Sequence, residues 1–365
     1  MYEKLKNKAE RIFKGNVYKE TKYAWGKYRM ISPGGKFAGV WNWDSAFHAI
    51  GMTYFDCELA KEQILGFLQF QIENGMLPDV VWENGEIEDN FSKPPVMAYA
   101  AARVFEKDRD LEFLEEAYEK LVKNEKFWVE KRCVEGLFHY DVNDPDNCGS
   151  YTYTESVGYE SGWDNSPRWD TNPQNYWAID LNCFMVLTYT SLAYMADALG
   201  KSSECWTDKA NKLSQLIEEK LWNDDIKAYT DYNFVDNISS EILTPASFMP
   251  LFTGISSKDR AECMNKIAIK NFLPGMPTVS YNHPSYSTDY WRGPCWLNVA
   301  YFAAKGLKDY GFDETAQTIR STILKWVYED GEFIHENYDA ITGEGLCVNQ
   351  FSWSCVFVLE FIENF

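Results

Sequence analysis

The chain has 365 residues, and its 55 Asp and Glu against 35 Lys and Arg give it a formal net charge of −20. So acidic a chain is a poor nucleic-acid binder, because phosphate contacts need an excess of Lys and Arg. A hydrophobic share of 45% excludes a disordered chain, and 14 Trp, 23 Tyr and 23 Phe raise the aromatic share to an unusual 16%.

The apolar residues predict helices along almost the whole chain. Some segments carry an apolar stripe on one face, such as 110–128, 208–222 and 313–326, whereas 176–199 and 296–307 are apolar nearly all round. A helix that is apolar on every side is buried on every side. The predicted helices are 2–13, 43–56, 58–74, 93–106, 110–130, 175–199, 207–222, 240–252, 257–269, 293–309, 312–328 and 349–363.

The two kinds of helix alternate in pairs, which fits six inner helices wrapped by six outer ones. We therefore predict an all-α fold, an (α/α)₆ barrel or six-hairpin toroid, with residues 1–365 in a single domain. No βαβ alternation supports a doubly wound sheet. The stretches 131–174 and 270–292 are not predicted to be helical and are dense in Trp, Tyr, Asp and Pro. Long loops in compact domains are usually functional, so we expect these two to form ordered rims of a pocket.

The cellular compartment is indicated by three observations. No apolar run reaches the roughly 20 residues of a membrane span. The N-terminal residues lack the apolar stretch of a secretory signal. The nine cysteines are scattered, without a C-x-x-C pair, and an odd count indicates reduced thiols. We therefore expect a cytoplasmic protein with no membrane segment.

Three segments place carboxylates among aromatic residues at helix starts or in loops. They are residues 39–48, residues 160–170, and residues 335–339 with the following 342–345 and 351–353. Indole faces stack on the C–H faces of a sugar ring, and carboxylates hydrogen-bond its hydroxyls. Hydrolysis of a glycosidic bond also needs two carboxyl groups, one of them an acid. An aromatic pocket favours that acid because desolvation raises its pKa.

Four segments, in chain order, resemble the (α/α)₆ glycosidases of glycoside hydrolase families 63 and 37. These families include processing α-glucosidase, trehalase and the bacterial mannosylglycerate and glucosylglycerate hydrolases. The matching segments are 41–48, 160–169, 290–296 and 336–353, so the resemblance covers nearly the whole chain. One such motif would be weak, whereas four in the same order are specific.

The resemblance implies an inverting reaction with Asp164 as the general acid and Glu336 as the general base. Asp164 falls in the families' E-S-G-x-D-x-S-x-x-W segment, and Glu336 precedes a glycine-containing stretch and an F-x-W. Such an acid–base reaction needs only its two carboxyl groups, so no metal or cofactor is implied. The other matching positions imply substrate contacts from Trp41, Trp43, Asp44, Trp163, Arg168, Trp291, Arg292 and Trp353.

The substrate expectation follows from where the chain departs from these families. It lacks the multi-glycine run that follows the base in trehalases, offering only Gly343-Glu344-Gly345, and has no room for the N-terminal β-domain of larger members. The resemblance therefore implies an enzyme for a small oligosaccharide or glycoside. A terminal α-glucosidic bond, as in α-glucosidases, is expected first, with glucosylglycerate and mannosylglycerate as further candidates. The negative net charge disfavours anionic substrates, unless Arg168 or Arg292 supplies a positive charge at the site.

Simpler explanations exist for most of these residues. Trp41 and Trp43 could be core aromatics, and Asp44 could cap the helix that follows it. Asp164 could be a solvated turn residue, and Arg168 and Arg292 could be salt-bridge partners of the acidic rim. The rival acids near Asp164 are Glu160 and Asp170, and the rivals of Glu336 are Glu332, Asp339 and Glu344.

Two other functions remain open at this stage. A sugar epimerase or isomerase on the same toroid would move protons at carbon, commonly with His as acid and base. The four histidines, His48, His139, His283 and His335, do not dominate the aromatic and acidic segments, which counts against it. The third possibility is a non-catalytic carbohydrate-binding protein, in which paired carboxylates would have no purpose.

Overall fold

The structure is a computed structural model that describes residues 1–365. Helices dominate it, as the sequence predicts. The thirteen α-helices are α1 (Tyr2–Asn16), α2 (Asn42–Met52), α3 (Cys57–Leu68), α4 (Met97–Asp108), α5 (Leu111–Lys131), α6 (Tyr153–Ser161), α7 (Ile179–Ala198), α8 (Glu204–Lys220), α9 (Met249–Phe252), α10 (Lys258–Asn271), α11 (Leu297–Asp309), α12 (Asp313–Glu329) and α13 (Ser352–Glu363). Short 3₁₀ helices span Pro167–Trp169, Pro173–Asn175 and Pro245–Phe248.

The inner ring closes on itself. Helix α2 contacts α4 and α13, α4 contacts α7, and α7 and α11 both contact α9, which the 3₁₀ helix Pro245–Phe248 precedes. Helix α11 then contacts α13 and completes the circle. Outside this ring, α3 packs on α2, α5 on α4, α8 on α7, α12 on α11, and α1 on α13, while α10 lies against α12. The predicted (α/α)₆ barrel is confirmed.

Burial separates the two rings as the apolar patterns predict. Every residue of α2 is buried, and fourteen of the twenty residues of α7 are buried. In the outer α8, by contrast, Trp206, Ala210, Leu213 and Ile217 are its only buried residues, and they fall on one helical face. No helix of the structure is both long and apolar enough to cross a membrane.

Short antiparallel strands join the helices at one end of the barrel. Strand β1 pairs with β2 and β2 with β3, so that Gly39 faces Trp82 and Trp41 faces Val80. Strands β11 and β12 form a hairpin that leads into α13. The strands are β1 (Gly39–Trp41), β2 (Val80–Trp82), β3 (Ile87–Glu88), β4 (Cys133–Val134), β5 (Leu137–Phe138), β6 (Tyr176–Trp177), β7 (Trp222–Asn223), β8 (Ala228–Tyr229), β9 (Tyr232–Asn233), β10 (Ile238–Ser239), β11 (Asn337–Tyr338) and β12 (Gly345–Leu346).

Two sequence predictions of local structure were wrong. The stretch 131–174 contains helix α6, which starts with a capping box between Thr152 and Glu155. The predicted helix 240–252 is only the 3₁₀ helix Pro245–Phe248 followed by the four-residue α9. Pro245 and Pro250 lie within that predicted helix, and a proline interrupts the backbone hydrogen bonding of a continuous helix.

Candidate active site

One cavity lies where several inner helices begin, and it brings together most of the predicted site residues. Its volume is about 90 Å³. Helices α2, α11 and α13 each contribute residues from their first turn or from directly before it. We call it the inner cavity; it is lined by Pro33, Phe37, Trp41, Trp43, Asp44, Lys93, Gly162, Asp164, Tyr290, Trp291, Trp296, Glu336, Phe351 and Trp353.

Gly162 determines how the segment carrying Asp164 enters this cavity. It ends α6 in the left-handed conformation, with φ +72°, which favours glycine. A Cβ at this position would lie 2.4 Å from the Trp43 ring, which packs directly against the glycine. The Glu-Ser-Gly-Trp-Asp sequence therefore needs its glycine both for the turn and for the indole beneath it.

The Asp164 carboxyl is half-buried, and no other side chain donates a hydrogen bond to it. Burial raises the pKa of this carboxyl above its ordinary value, and the ammonium of Lys93 partly opposes that shift. A carboxyl whose pKa is raised holds its proton closer to neutral pH. This is the property that a general acid requires.

Glu336 is 2% exposed and is held by defined hydrogen bonds. The Tyr290 hydroxyl donates to its Oε1 at 2.7 Å, and the Val348 amide donates to its Oε2 at 3.4 Å. Burial raises the pKa of Glu336, whereas these two donors lower it. The negative charge of Asp164 raises it further, so the two carboxyls interact across the cavity.

Replacing Tyr290 with Phe should move the pH profile in one direction. The hydroxyl stabilises the ionised form of Glu336, so its loss should raise the pKa of that carboxyl. If Glu336 acts ionised, the acidic limb of kcat/KM should shift to higher pH. Measuring kcat/KM between pH 4 and 8 tests this, and a profile that stays in place would contradict the assignment. Tyr281→Phe serves as the control, because the Tyr281 hydroxyl donates to the Ala340 carbonyl instead.

Tryptophans form a continuous aromatic layer in the inner cavity. Trp291 and Trp296 stack with ring centroids 3.9 Å apart, and Trp353 lies 5.2 Å from Trp43 and 5.4 Å from Trp296. Trp163, a predicted substrate contact, is 1% exposed. Its ring centroid lies 4.9 Å from that of Trp291, outside the cavity lining. Trp163 thus supports the layer without reaching its open face.

A second group of acidic residues surrounds Lys93. No sequence motif had identified this lysine as a site residue. Its ammonium pairs with Asp79 at 3.2 Å and donates to the Tyr159 carbonyl. Burial raises the pKa of Asp44 to about 8 and that of Asp79 to about 6. The only sequence signal was a lysine directly before Pro94-Pro95 and the apolar start of α4. Asp44 does not cap α2, since the N-cap is Trp41 and no side chain caps the helix.

Arg168, a predicted substrate contact, lies away from the inner cavity. Its guanidinium is fully buried and is bound by two carboxylates, Asp180 at 2.7 and 2.9 Å and Asp231 at 2.8 Å on both contacts. Arg292, another predicted contact, pairs through its guanidinium with Asp170 at 2.8 Å and donates to the Asn165 carbonyl. Neither arginine lines the inner cavity.

Arg168→Met should lower the free energy of unfolding of the protein without a specific loss of substrate affinity. Removing one partner of a buried ion pair costs about 3–5 kcal/mol, because the remaining charges stay buried without compensation. Arg292→Met is the matched control, since its pair with Asp170 is part-exposed and such pairs contribute below about 1 kcal/mol. Urea denaturation of both variants measures this. Equal losses of stability would show that the Asp180–Arg168–Asp231 cluster is not structurally important.

The rival carboxylates lie outside the inner cavity. Glu160 is fully buried and binds Arg132 at 2.9 Å. Asp170 is exposed and paired with Arg292, as described above. Glu332 and Glu344 are exposed, and Asp339 accepts the amides of the turn that follows it. Among the acids weighed at the sequence level, Asp164, Glu336 and Asp44 alone line this cavity.

A closed helical toroid with carboxyl groups in an aromatic cavity suits a glycoside hydrolase, and comparison with known proteins gives the same class. The family model described as the mannosylglycerate hydrolase MGH1-like glycoside hydrolase domain matches residues 38–354. The chain belongs to this family. The resemblance to glycoside hydrolase families 63 and 37 is thereby confirmed, and the protein is an O-glycoside hydrolase.

Individual relatives agree with this membership. A mannosylglycerate hydrolase of Thermus thermophilus is 26% identical, with 89% of this chain and 94% of that protein covered. A periplasmic trehalase of Salmonella newport is 25% identical over 86% of this chain and 63% of its own length. A solved structure of a GH63 mannosylglycerate hydrolase, also from Thermus thermophilus and in complex with Tris and D-glycerate, has a TM-score of 0.83. It is 23% identical and covers 98% of this chain and all of that one.

Proposed function

We propose that the chain is an inverting hydrolase of small α-glycosides that releases a terminal sugar, most readily by cleaving an α-glucosidic bond. The observation that carries this proposal is the shared cavity of Asp164 and Glu336, whose surroundings differ. Asp164 receives no hydrogen bond from another side chain, whereas Glu336 is held by the Tyr290 hydroxyl. Such a difference suits one proton donor and one proton acceptor.

In the proposed reaction, Asp164 donates its proton to the glycosidic oxygen as the bond to the anomeric carbon breaks. Glu336 takes a proton from a water that attacks the same carbon from the opposite face. The oxygen-linked group leaves as an alcohol, and Asp164 ends as the carboxylate. Asp44 and Lys93 line the cavity with polar groups that can hydrogen-bond sugar hydroxyls, while Trp43, Trp291 and Trp353 offer aromatic surface.

The substrate class and setting are part of the proposal. Relatives named mannosylglycerate hydrolase and trehalase support small α-linked substrates, so glucosylglycerate and mannosylglycerate remain candidates beside neutral α-glucosides. We further propose that residues 1–365 act as one catalytic domain, because the ring of helices closes within them. A cytoplasmic location is supported by nine cysteines that all remain unpaired.

The proposal is tested by identifying the product that forms first. Wild-type protein is incubated with a panel of α-glucosides and α-mannosides, and the anomeric protons are followed by NMR from the first minute. Inversion requires the β-anomer of the free sugar to appear before mutarotation. Early release of the α-anomer would contradict the single-displacement mechanism. Interconversion of sugars without cleavage would favour the epimerase alternative, although no histidine lines the inner cavity.

A further inference from the structure

A second cavity adjoins the inner one and shares Phe37, Trp41, Lys93 and Asp164 with it. It has a volume of about 340 Å³ and opens to solvent; we call it the outer cavity. If Asp164 protonates the glycosidic oxygen, the group that leaves with this oxygen lies on the side of the acid away from Glu336. The inference below rests on the proposed function in this one respect, since it takes the outer cavity as the site of the leaving group.

Exposed aromatic surface marks one part of the outer cavity. Trp82 of β2 is 38% exposed, and no other tryptophan of the chain is exposed to this extent. Its ring meets that of Trp41 edge to face at 5.2 Å, so the sheet β1–β2–β3 presents both rings to the cavity. Leaving an indole in water is unfavourable unless a ligand covers it, and large exposed apolar surface commonly marks a binding site.

A second aromatic group comes from a different part of the chain. Phe91 and Tyr159 stack at 6.0 Å, and Tyr151, which is 44% exposed, meets Tyr159 edge to face at 4.8 Å. All three rings line the outer cavity. The two groups together offer flat faces of the kind that stack on the C–H groups of a sugar ring or polyol.

The charges of the outer cavity do not suit an anion. Asp79, Glu88 and Asp164 line it with carboxyl groups, of which Asp164 carries a proton as the general acid. Lys36 and Lys93 line it with ammonium groups. The Lys93 ammonium is already bound by Asp79 and the Tyr159 carbonyl. Glu88 accepts only a backbone amide, that of Asn90, and has no cationic partner. Lys36 is the one free cation, and it is exposed at the mouth.

The arginines give no help to an anionic leaving group either. Arg168 and Arg292 are each held by Asp side chains, and no guanidinium lines the outer cavity. A carboxylate bound there would therefore lie beside Glu88 and the Asp79–Lys93 pair, with the exposed Lys36 as its one cationic partner. A hydroxyl in the same place can donate to either carboxylate.

From these contacts we propose that the outer cavity selects a neutral, polyhydroxylated leaving group over an anionic one of the same size. The preferred substrates are thus α-glycosides of a polyol or of a second sugar, and a carboxylate on the leaving group is tolerated less well. Aromatic stacking supplies the attraction, and Glu88 and Asp79 supply the discrimination.

The proposal is tested with substrates that differ in one group. In 2-O-α-glucosylglycerol a CH₂OH replaces the carboxylate of 2-O-α-glucosylglycerate, and the same pair exists in the mannosyl series. Binding is measured by calorimetry on the full chain carrying Asp164→Asn, which keeps the cavity and slows turnover by about a thousandfold. We expect the neutral member of a pair to bind about tenfold more tightly or better, because an unpaired charge in a partly buried site is costly.

Two substitutions, each made in the Asp164→Asn chain, test whether the preference for a neutral leaving group arises in the outer cavity. Glu88→Gln should tighten binding of the glycerate member and so narrow the gap between the two ligands. Trp82→Ala should weaken the glycerol member by about tenfold through lost stacking. Tyr328→Ala, which removes an equally exposed aromatic from the outer helix α12, is the control.

Each outcome decides the proposal. Equal or tighter binding of the glycerate member overturns it, as does a failure of all four ligands to bind. If Lys36→Gln then reversed a preference for the glycerate member, the cation at the mouth would be the group that selects anions. Neutral ligands that bind tightly but are not cleaved by the wild-type protein would leave the preference standing and refute the hydrolytic function.

Discussion

Asp164→Asn should lower kcat on α-glycosides of ordinary alcohols by about a thousandfold, within the range that general-acid catalysis supplies. The leaving alkoxide of a sugar or polyol is a strong base, so the bond breaks slowly unless a proton arrives with it. The amide of Asn fills the same space but has no acidic proton to give. The folded state should remain intact, since no other side chain hydrogen-bonds to this carboxyl.

The leaving group distinguishes loss of the acid from general damage. The leaving group of a 2,4-dinitrophenyl α-glycoside is a weakly basic phenolate that needs no proton. The rate of its hydrolysis should therefore fall far less in Asp164→Asn. Asp170→Asn is the matched control, because Asp170 lies on the same loop, is exposed and does not line the inner cavity. Equal losses on both kinds of substrate would exclude Asp164 as the acid.

Glu336→Gln should lower kcat at least as much as Asp164→Asn does, and by the same factor on every substrate. The attacking water loses a proton to Glu336 whatever the leaving group is, so a better leaving group cannot compensate. The Gln amide oxygen can still accept the Tyr290 hydroxyl, which should preserve the local structure. Steady-state rates on a glucosyl polyol and on the dinitrophenyl glycoside, compared with those of Asp164→Asn, separate the two roles.

The control for this change is Glu344→Gln, an exposed carboxylate on the same hairpin as Glu336. It should keep wild-type rates. If Glu336→Gln instead spared the dinitrophenyl substrate while Asp164→Asn did not, the two carboxyls would have exchanged roles. If it retained activity on both substrates, a different base would have to be sought, and Asp44 is the remaining carboxyl of the cavity.

Most of the helical architecture could be predicted from the sequence, because burial leaves a direct trace in the pattern of apolar residues. The all-round apolar α7 and the one-sided α8 are examples, and both occur close to their predicted positions. Helix α6 could not be found this way. It is nine residues long with little amphipathic pattern, and its start depends on a capping box that comes from Thr152 and Glu155 alone.

Site residues that belong to local sequence motifs could be predicted. Residues whose environment is set by partners far along the chain could not. Asp164, Glu336 and the tryptophans stand in segments that a family resemblance identifies. Arg168 seemed equally well placed, but its environment is set by Asp231, 63 residues further along the chain. Lys93 escaped notice for the same reason, since the Tyr159 carbonyl that its ammonium binds lies 66 residues further along the chain.

The packing of α13 against α1, α2 and α11 has a consequence for the order of assembly during synthesis. The wholly buried α2 emerges from the ribosome early, yet its neighbour α13 is made some three hundred residues later. Until α13 is made, part of the apolar surface of α2 stays exposed, and such partly assembled chains are prone to aggregate. Glu336 and Trp353 lie in or next to the same segment, so the ring and the carboxyl pair become complete together, once this segment has been made.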